Sequence, residues 1–259
     1  MRLLCWNVAG RVRRLPEQAE RIASVCPDLV CLQEVTPRTG GMWFEALAEA
    51  GWPEVAMAGG DVGDRPERGR PLYALTAARA KLEVLQIPGL PWPERAVATV
   101  VGGIEVINVH SPISPKPGLA KVRTHEAIHA YVRSRPGPLV LCGDLNTPRK
   151  EHADGRVWTF ARTQHGKLRP DRGERWDQAE LALIKGLEDH GFRDAFRERH
   201  GLEVREVSWE WRRWGGGYRL DHLIVSAEVE VPEISYLHPW RKEGLSDHSP
   251  LLAEVRVGP

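Results

Sequence analysis

The chain has 259 residues, 42% of them hydrophobic, which suits one large α/β or all-β domain as well as two small ones and can fill a sizeable core. Lys and Arg number 36 against 35 Asp and Glu, which excludes a global field drawing the molecule to nucleic acid or acidic membranes, so any basic surface must be local. No run of about 18 apolar residues is present to cross a membrane as a helix.

In chain order, the apolar run at 3–7 predicts a strand, the spacing at 15–25 a helix, 29–33 a second strand and 43–50 a second helix. The stretch "GGDVGDRPERGRP" (59–71) reads as a flexible surface loop. Strands follow at 72–76, 96–101 and 104–110, the last two joined at Gly102-Gly103 as a tight hairpin. A helix at 120–133 and a strand at 139–142 complete a strand–helix–strand unit, and 148–175 is a long polar excursion. A helix at 176–189, where Leu181, Ile184 and Leu187 recur every third residue, precedes strands at 220–226 and 251–257. Strands outnumber helices about two to one without a fixed-period repeat, so we expect one domain over residues 1–259 with mixed sheet covered by helices. Cys5, Cys26, Cys31 and Cys142 form no C-x-x-C pair. With three of them in apolar runs, they read as free thiols of a reducing compartment, and with a first strand starting at Arg2 and no signal peptide the expectation is cytoplasmic.

Polar residues gather at the strand ends. Asn7 closes "LLCWN", Glu34 follows "DLVCLQ" and His110 ends "EVINVH"; Asp144 and Asn146 follow "PLVLCG". Asp221 opens "DHLIVS", and Asp247 with His248 precede the last strand in "LSDHSPLL". One such residue is a cap or a turn. Six stretches of this kind are better explained by a scaffold presenting reactive groups along one sheet edge.

The ordered set "CWNVAG", "CLQEV", "NVHSP", "GDLN", "RLDHLIVS" and "SDHSP" resembles the endonuclease/exonuclease/phosphatase superfamily of magnesium-dependent phosphoesterases over nearly the whole chain. Within it, 176–197 and 208–226 are most similar to the exonuclease III type of abasic-site endonuclease. The resemblance implies a four-layer α/β sandwich, two packed mixed β-sheets flanked by helices, with the site at one edge and Mg²⁺, or Mn²⁺, as cofactor. Three features depart from that type. His110 stands where it usually has Tyr and where the DNase I and sphingomyelinase branches have His, Ala9 replaces an Asp or Asn, and the loop at 209–218 is short.

Phosphodiester hydrolysis asks a catalyst to neutralise the phosphate, aim a water in line and stabilise the leaving oxygen. Glu34 is the expected Mg²⁺ ligand, with Asn7 beside it and Asp247 as a second carboxylate. Asp144 is the candidate to align and deprotonate the water, and Asn146, two residues on, to point to the same face and bind a phosphate oxygen or that water. His248 would contact the phosphate as an imidazolium held by Asp221, and His110 joins this group.

Eight Lys or Arg between 149 and 175, Arg149 and Lys150 among them, against four acids would attract a polyanion. In "SWEWRRWGGGYR", Trp209, Trp214 and Tyr218 suit stacking on bases, though Trp209 and Trp211 read equally well as one buried strand face. The function expected is a Mg-dependent phosphodiester hydrolase, a DNA nuclease of the abasic-site endonuclease/exonuclease III type. The alternative is a phosphatase or phosphodiesterase for a small-molecule, lipid or RNA phosphate ester, favoured by His110 and the near-zero charge. DNA is the expected partner, with no membrane and no protein partner evident.

Overall fold

The computed structural model of the chain describes residues 1–59, 71–113, 118–211 and 215–258. Two six-stranded mixed sheets pack face to face. One runs Val229–Tyr236, Leu251–Val257, Arg2–Asn7, Leu29–Val35, Tyr73–Ala78, Glu54–Met57; the other runs Arg193–Asp194, Asp221–Val225, Leu139–Asp144, Ile104–His110, Ala96–Val101, Glu83–Leu85. Each sheet has a single parallel pair near its middle, Arg2–Asn7 with Leu29–Val35 and Ile104–His110 with Leu139–Asp144. Parallel neighbours need a crossover, and the helices Leu15–Ser24 and Ala120–Ser134 supply them on the outer faces.

Strand alternation builds the layers. Leu3, Cys5, Leu29 and Cys31 meet Val106, Val140, Cys142 and Leu223 between the sheets. The intervening Leu4, Trp6, Val30 and Leu32 pack outward on Leu15, Ile22, Trp43 and Leu47. Ile107, Val109, Leu139 and Leu141 pack on Ile128, Val132 and Leu183 on the other side. Central strands buried on both faces explain the continuous apolar runs and the four-layer order. All four cysteines are free thiols, Cys5, Cys31 and Cys142 buried and Cys26 exposed.

The hairpin at Gly102-Gly103 pairs Val101 with Ile104, and both glycines take positive φ (58° and 81°), as a two-residue hairpin turn requires. Other elements differ from expectation. The second helix is Pro37–Glu49, starting six residues before 43 because Thr36 and Thr39 form a reciprocal cap. The helix at 176–189 is Gly173–Ile184 followed by a separate 3₁₀ turn, Glu188–His190. Strands Glu54–Met57, Glu83–Leu85 and Val229–Tyr236 and helices Ala195–His200 and His238–Lys242 lie beyond the sequence expectation. The excursion at 148–175 contains a short ribbon, Lys150–Glu151 with Val157–Trp158. Of the loop expected at 59–71, residues 60–70 lie outside the described residues, as does Trp214. No helix among the described residues is long and apolar enough to cross a membrane.

Candidate active site

The site lies where the space between the sheets opens at the C-terminal ends of both parallel pairs. Cys5 and Cys142 face the inter-sheet core and Asn108 is buried between the sheets, where its Oδ1 accepts from Gln33 Nε2 at 2.7 Å. Two residues on, Asn7, Asp144 and His110 continue those inner faces, one pleat beyond the last core side chain. Register sets three side by side, with Asp144 opposite His110 on one neighbour and Asp221 on the other. The row is closely built: at Gly143 (φ 132°) an added Cβ would overlap the Val109 carbonyl of the adjoining strand, so only glycine fits there.

Glu34 breaks the alternation. Gln33 occupies the inner face, so a regular strand would turn Glu34 outward with Leu32. The pairing instead shifts register between Leu32 and Val35, and Glu34 takes φ 60°. Such an irregularity re-aims a side chain. The Glu34 Oε1 atom then sits 3.2 Å from Asn7 Nδ2 and 3.6 Å from His110 Nε2. Asn7 Nδ2 also donates to Asp144 Oδ2 at 2.9 Å while Asn7 Oδ1 accepts the Ala9 N–H. Two carboxylates thus converge on one amide.

Asp144 and Asn146 come together by a turn rather than by strand alternation. Asn146 is left-handed (φ 51°), its N–H donates to Asp144 Oδ1 at 2.9 Å, and its amide donates to the Ser111 carbonyl at 2.7 Å. His248 completes the group, with Nδ1 2.8 Å from Asp221 Oδ2 and Nε2 3.8 Å from Asp144 Oδ2. Burial alone would lower the His248 pKa, but the carboxylates of Asp221 and Asp144 outweigh it and raise it to about 10. Burial, reinforced by Asp221, pushes Asp144 up to about 7. His110 goes the other way, held well below the usual histidine range by burial, by Arg95 and by His248. The arrangement therefore pairs an imidazolium donor with a basic carboxylate beside a neutral imidazole.

Asp247 accepts from Trp209 Nε1 at 3.1 Å. Trp209 is half-buried, its ring parallel to that of Tyr218 with centroids 6.0 Å apart. It belongs to neither of the two readings alone: it is an aromatic face and also a tether for Asp247. Tyr218 meets Phe160 edge-on, with the Arg149 guanidinium 6.0 Å over that same ring, and Lys150 lies 5.1 Å over Trp158. The basic surplus at 149–175 is smaller in space than in sequence. Arg156, Arg162, Arg169 and Arg175 each pair with a carboxylate, of Asp154, Asp177, Asp171 and Glu126.

The donor set fits a hard divalent cation. Glu34 and Asp144 present oxygens towards one place, with the Asn7 N–H between them, and thiols are absent from this edge, a chemistry suited to Mg²⁺ or Mn²⁺ rather than to a soft metal. Asp144, Asp221 and His248 also bring ligand-type atoms within 4.8 Å of one another.

The model of the Endonuclease/Exonuclease/phosphatase family matches residues 4–248. The chain belongs to that family. It is accordingly an enzyme, a metal-dependent phosphoesterase built on the two-sheet fold described above. An AP endonuclease from Archaeoglobus fulgidus superposes with a TM-score of 0.75 at 21% identity, covering 99% of this chain and 100% of that one. A 3'-5' exonuclease (NExo) from Neisseria meningitidis gives 0.73 at 26% identity, over 98% of this chain and 99% of that one. The same Neisseria protein, described as a 3' phosphatase bound to a product DNA hairpin, gives 0.71 at 24%, over 99% of each chain. No curated protein sequence matches.

Sequence reasoning missed several residues that shape the site. Arg95, buried behind His110, places Nη1 2.7 Å from Nδ1 and 3.3 Å from Nε2. Ser208 is buried and accepts the N–H groups of Leu220 and Asp221 at 2.9 and 3.1 Å, bracing the strand that carries Asp221. Lys121 and Glu180 are buried charges on helices. The available signal was a charge at an otherwise apolar helical position, which periodicity treats as noise.

Proposed function

We propose that the chain is a Mg²⁺-dependent nuclease of the abasic-site endonuclease/exonuclease III type. The observation that carries this reading is the Asp221–His248 pair facing Asp144, with the Trp209–Tyr218 platform hydrogen-bonded to Asp247 beside it. The Archaeoglobus and Neisseria neighbours, an AP endonuclease and an exonuclease with a DNA hairpin, support it.

In this reading Glu34, with Asn7 and Asp247, holds the cation, which when bound would neutralise phosphate charge and polarise the P–O bond. Asp144 orients the attacking water and takes its proton; Asn146 fixes the water or a phosphate oxygen with its remaining amide capacity. His248 donates from Nε2 to a non-bridging oxygen, and Asp221 keeps it charged. His110 adds a neutral hydrogen-bonding group. A base-free sugar leaves the helix more cheaply than an intact nucleotide, and Trp209, Tyr218 and Trp214 would receive it, with Arg149 and Lys150 on flanking phosphates.

A second reading, a phosphatase or phosphodiesterase for a small, lipid or RNA ester, is favoured by a specific observation: at least four of the eight basic residues at 149–175 are already ion-paired. A panel of abasic duplex, single-stranded DNA, RNA, sugar phosphates and phospholipids with Mg²⁺ separates the two. Preference for abasic duplex, lost in Tyr218→Ala/Trp214→Ala while an activated diester is still hydrolysed, supports the nuclease. A sugar phosphate or lipid headgroup cleaved far faster than any DNA overturns it.

A further inference from the structure

We propose that Lys121 and Glu180 form a positioning clamp that holds residues 144–147 in reactive shape, neither of them touching the substrate. The inference rests on the reading of Asp144 and Asn146 as the pair that handles the water.

Lys121 opens the helix Ala120–Ser134 and Glu180 lies in Gly173–Ile184, both behind the site and only 2% and 1% exposed. Lys121 Nζ donates to the Asn146 carbonyl at 2.7 Å and to Glu180 Oε1 at 2.8 Å, and lies 5.2 Å over the Phe160 ring. These interactions, made out of solvent, commit the ammonium to the protein and leave no phosphate to recruit it. Glu180 also accepts from Trp176 Nε1 at 2.7 Å, Thr147 Oγ1 at 2.6 Å and the Phe160 N–H at 2.9 Å. The next carbonyl, of Thr147, lies 2.8 Å from His222 Nε2. Both carbonyls after Leu145 are thus engaged by side chains from outside the segment.

A buried ion pair adds little stability over apolar side chains of the same volume; its attested use is to fix geometry. The geometry at stake here is the left-handed turn at Asn146 (φ 51°), a conformation that asparagine enters more readily than other non-glycine residues and that the bonds to its carbonyl and amide hold in place. In that conformation its N–H reaches Asp144 Oδ1. Without Lys121 the Asn146 carbonyl loses its donor, the turn can relax, and Asp144 loses the hydrogen bond that aims it. A displacement near 1 Å at such a group costs about 10²-fold in rate.

Removing one charge alone strands the other, so the test replaces both with Lys121→Met/Glu180→Met, assayed on an activated phosphodiester with Mg²⁺. We expect a lower melting temperature, since the Asn146 carbonyl, the Thr147 hydroxyl, the Phe160 N–H and Trp176 Nε1 lose their partners, and in the folded variant kcat lower by about ten-fold or more with KM within about two-fold. In an Asp144→Asn background the same pair of changes should cost less than about two-fold, because the carboxylate that the turn aims through the Asn146 N–H is already gone. Thr147→Val, which removes only one hydroxyl from the clamp, serves if the double variant does not fold, with kcat down about three-fold and KM unchanged. A folded clamp variant, or Thr147→Val, with wild-type kcat overturns the proposal, as does a full multiplicative loss in the Asp144→Asn background. Asp144→Asn run alongside separates the levels. If it keeps full kcat, the reading of the site fails and the clamp with it; if it is inactive while the clamp variant is fully active, only the clamp fails.

Discussion

Replacing Asp144 by Asn should stabilise the protein at alkaline pH while removing its turnover. Asp144 is 1% exposed, and burial, with Asp221 acting in the same direction, moves its carboxyl from the ordinary 3.8 to about 7. A carboxyl whose folded pKa lies above its unfolded value binds more protons in the native state between those limits. Stability therefore falls as pH rises from about 4 to about 7 and stays reduced above. Three pKa units correspond to about 4 kcal/mol, and Asn, which cannot ionise, escapes that cost. Against this, Asn7 Nδ2 donates to Asp144 Oδ2 at 2.9 Å, and an amide nitrogen there would set two donors face to face, losing about 1–3 kcal/mol. The shift to about 7 already includes the attraction to His248 across 3.8 Å, so its loss adds nothing further. The net gain above pH 8 is about 1–2 kcal/mol, a rise of a few degrees in melting temperature. Below pH 4 the gain vanishes and the donor conflict makes the variant less stable than wild type. Melting curves in EDTA from pH 4 to 9 measure this directly. A variant destabilised by the same amount at every pH would refute the buried-charge argument. In turnover, kcat should fall by about 10² or more with little change in KM. Loss of affinity with kcat retained would instead assign Asp144 to binding.

Glu34→Gln keeps the shape of the side chain and removes the charge that faces the cation, so activity should be lost while the melting curve in EDTA stays near wild type; undiminished wild-type turnover in EDTA would sink the metal assignment. Gly143→Ala should not yield folded protein, because its Cβ would overlap the Val109 carbonyl at φ 132°; circular dichroism of a soluble variant with a wild-type melt would contradict the packing described. Arg149→Ala/Lys150→Ala should weaken DNA binding for all sequences alike and flatten the slope of log K against log salt by up to about 1.8 on duplex, near 0.9 for each phosphate no longer neutralised. An unchanged slope would show that these two side chains meet no phosphate.

The parts of this architecture that are legible in sequence are those where side-chain pattern and backbone period agree. The central strands can be found because burial on both faces makes them continuous apolar runs, and Asn7, His110, Asp144 and Asp221 because a polar residue interrupts each run at its end. Val229–Tyr236 escapes because Glu230, Pro232 and Glu233 interrupt it at a register shift, and Glu83–Leu85 because a three-residue edge strand carries almost no pattern. The helix Pro37–Glu49 reads short in sequence because Gly40 and Gly41 argue against helix, yet a reciprocal Thr36–Thr39 cap and tertiary packing override them. At the site, residue types are readable but orientations are not. Glu34 reaches its neighbours only through a backbone irregularity, and Asn146 only through a left-handed turn held by groups 25 and 35 residues away in sequence. Such features are decided by tertiary interactions, and local periodicity contains no trace of them.

His110 shows how such interactions change the meaning of a residue. In sequence, a histidine where the exonuclease III type usually has tyrosine suggests an ionisable group and hence a different branch of phosphoester chemistry. In space, the Arg95 guanidinium stands 2.7 Å from Nδ1, and arginine can only donate a hydrogen bond. The imidazole must answer with a lone pair there, and burial together with that positive charge keeps it from taking a second proton. The same Arg95 Nη1 lies 3.3 Å from Nε2, the atom turned towards Glu34 and Asp144 at 3.6 and 3.9 Å. His110 therefore stands at this strand end as an uncharged hydrogen-bonding group. Arg95, invisible to motif reasoning, is the residue that sets this character. The test between DNA and a small ester accordingly bears on the aromatic and basic surface around Trp209, Tyr218, Arg149 and Lys150.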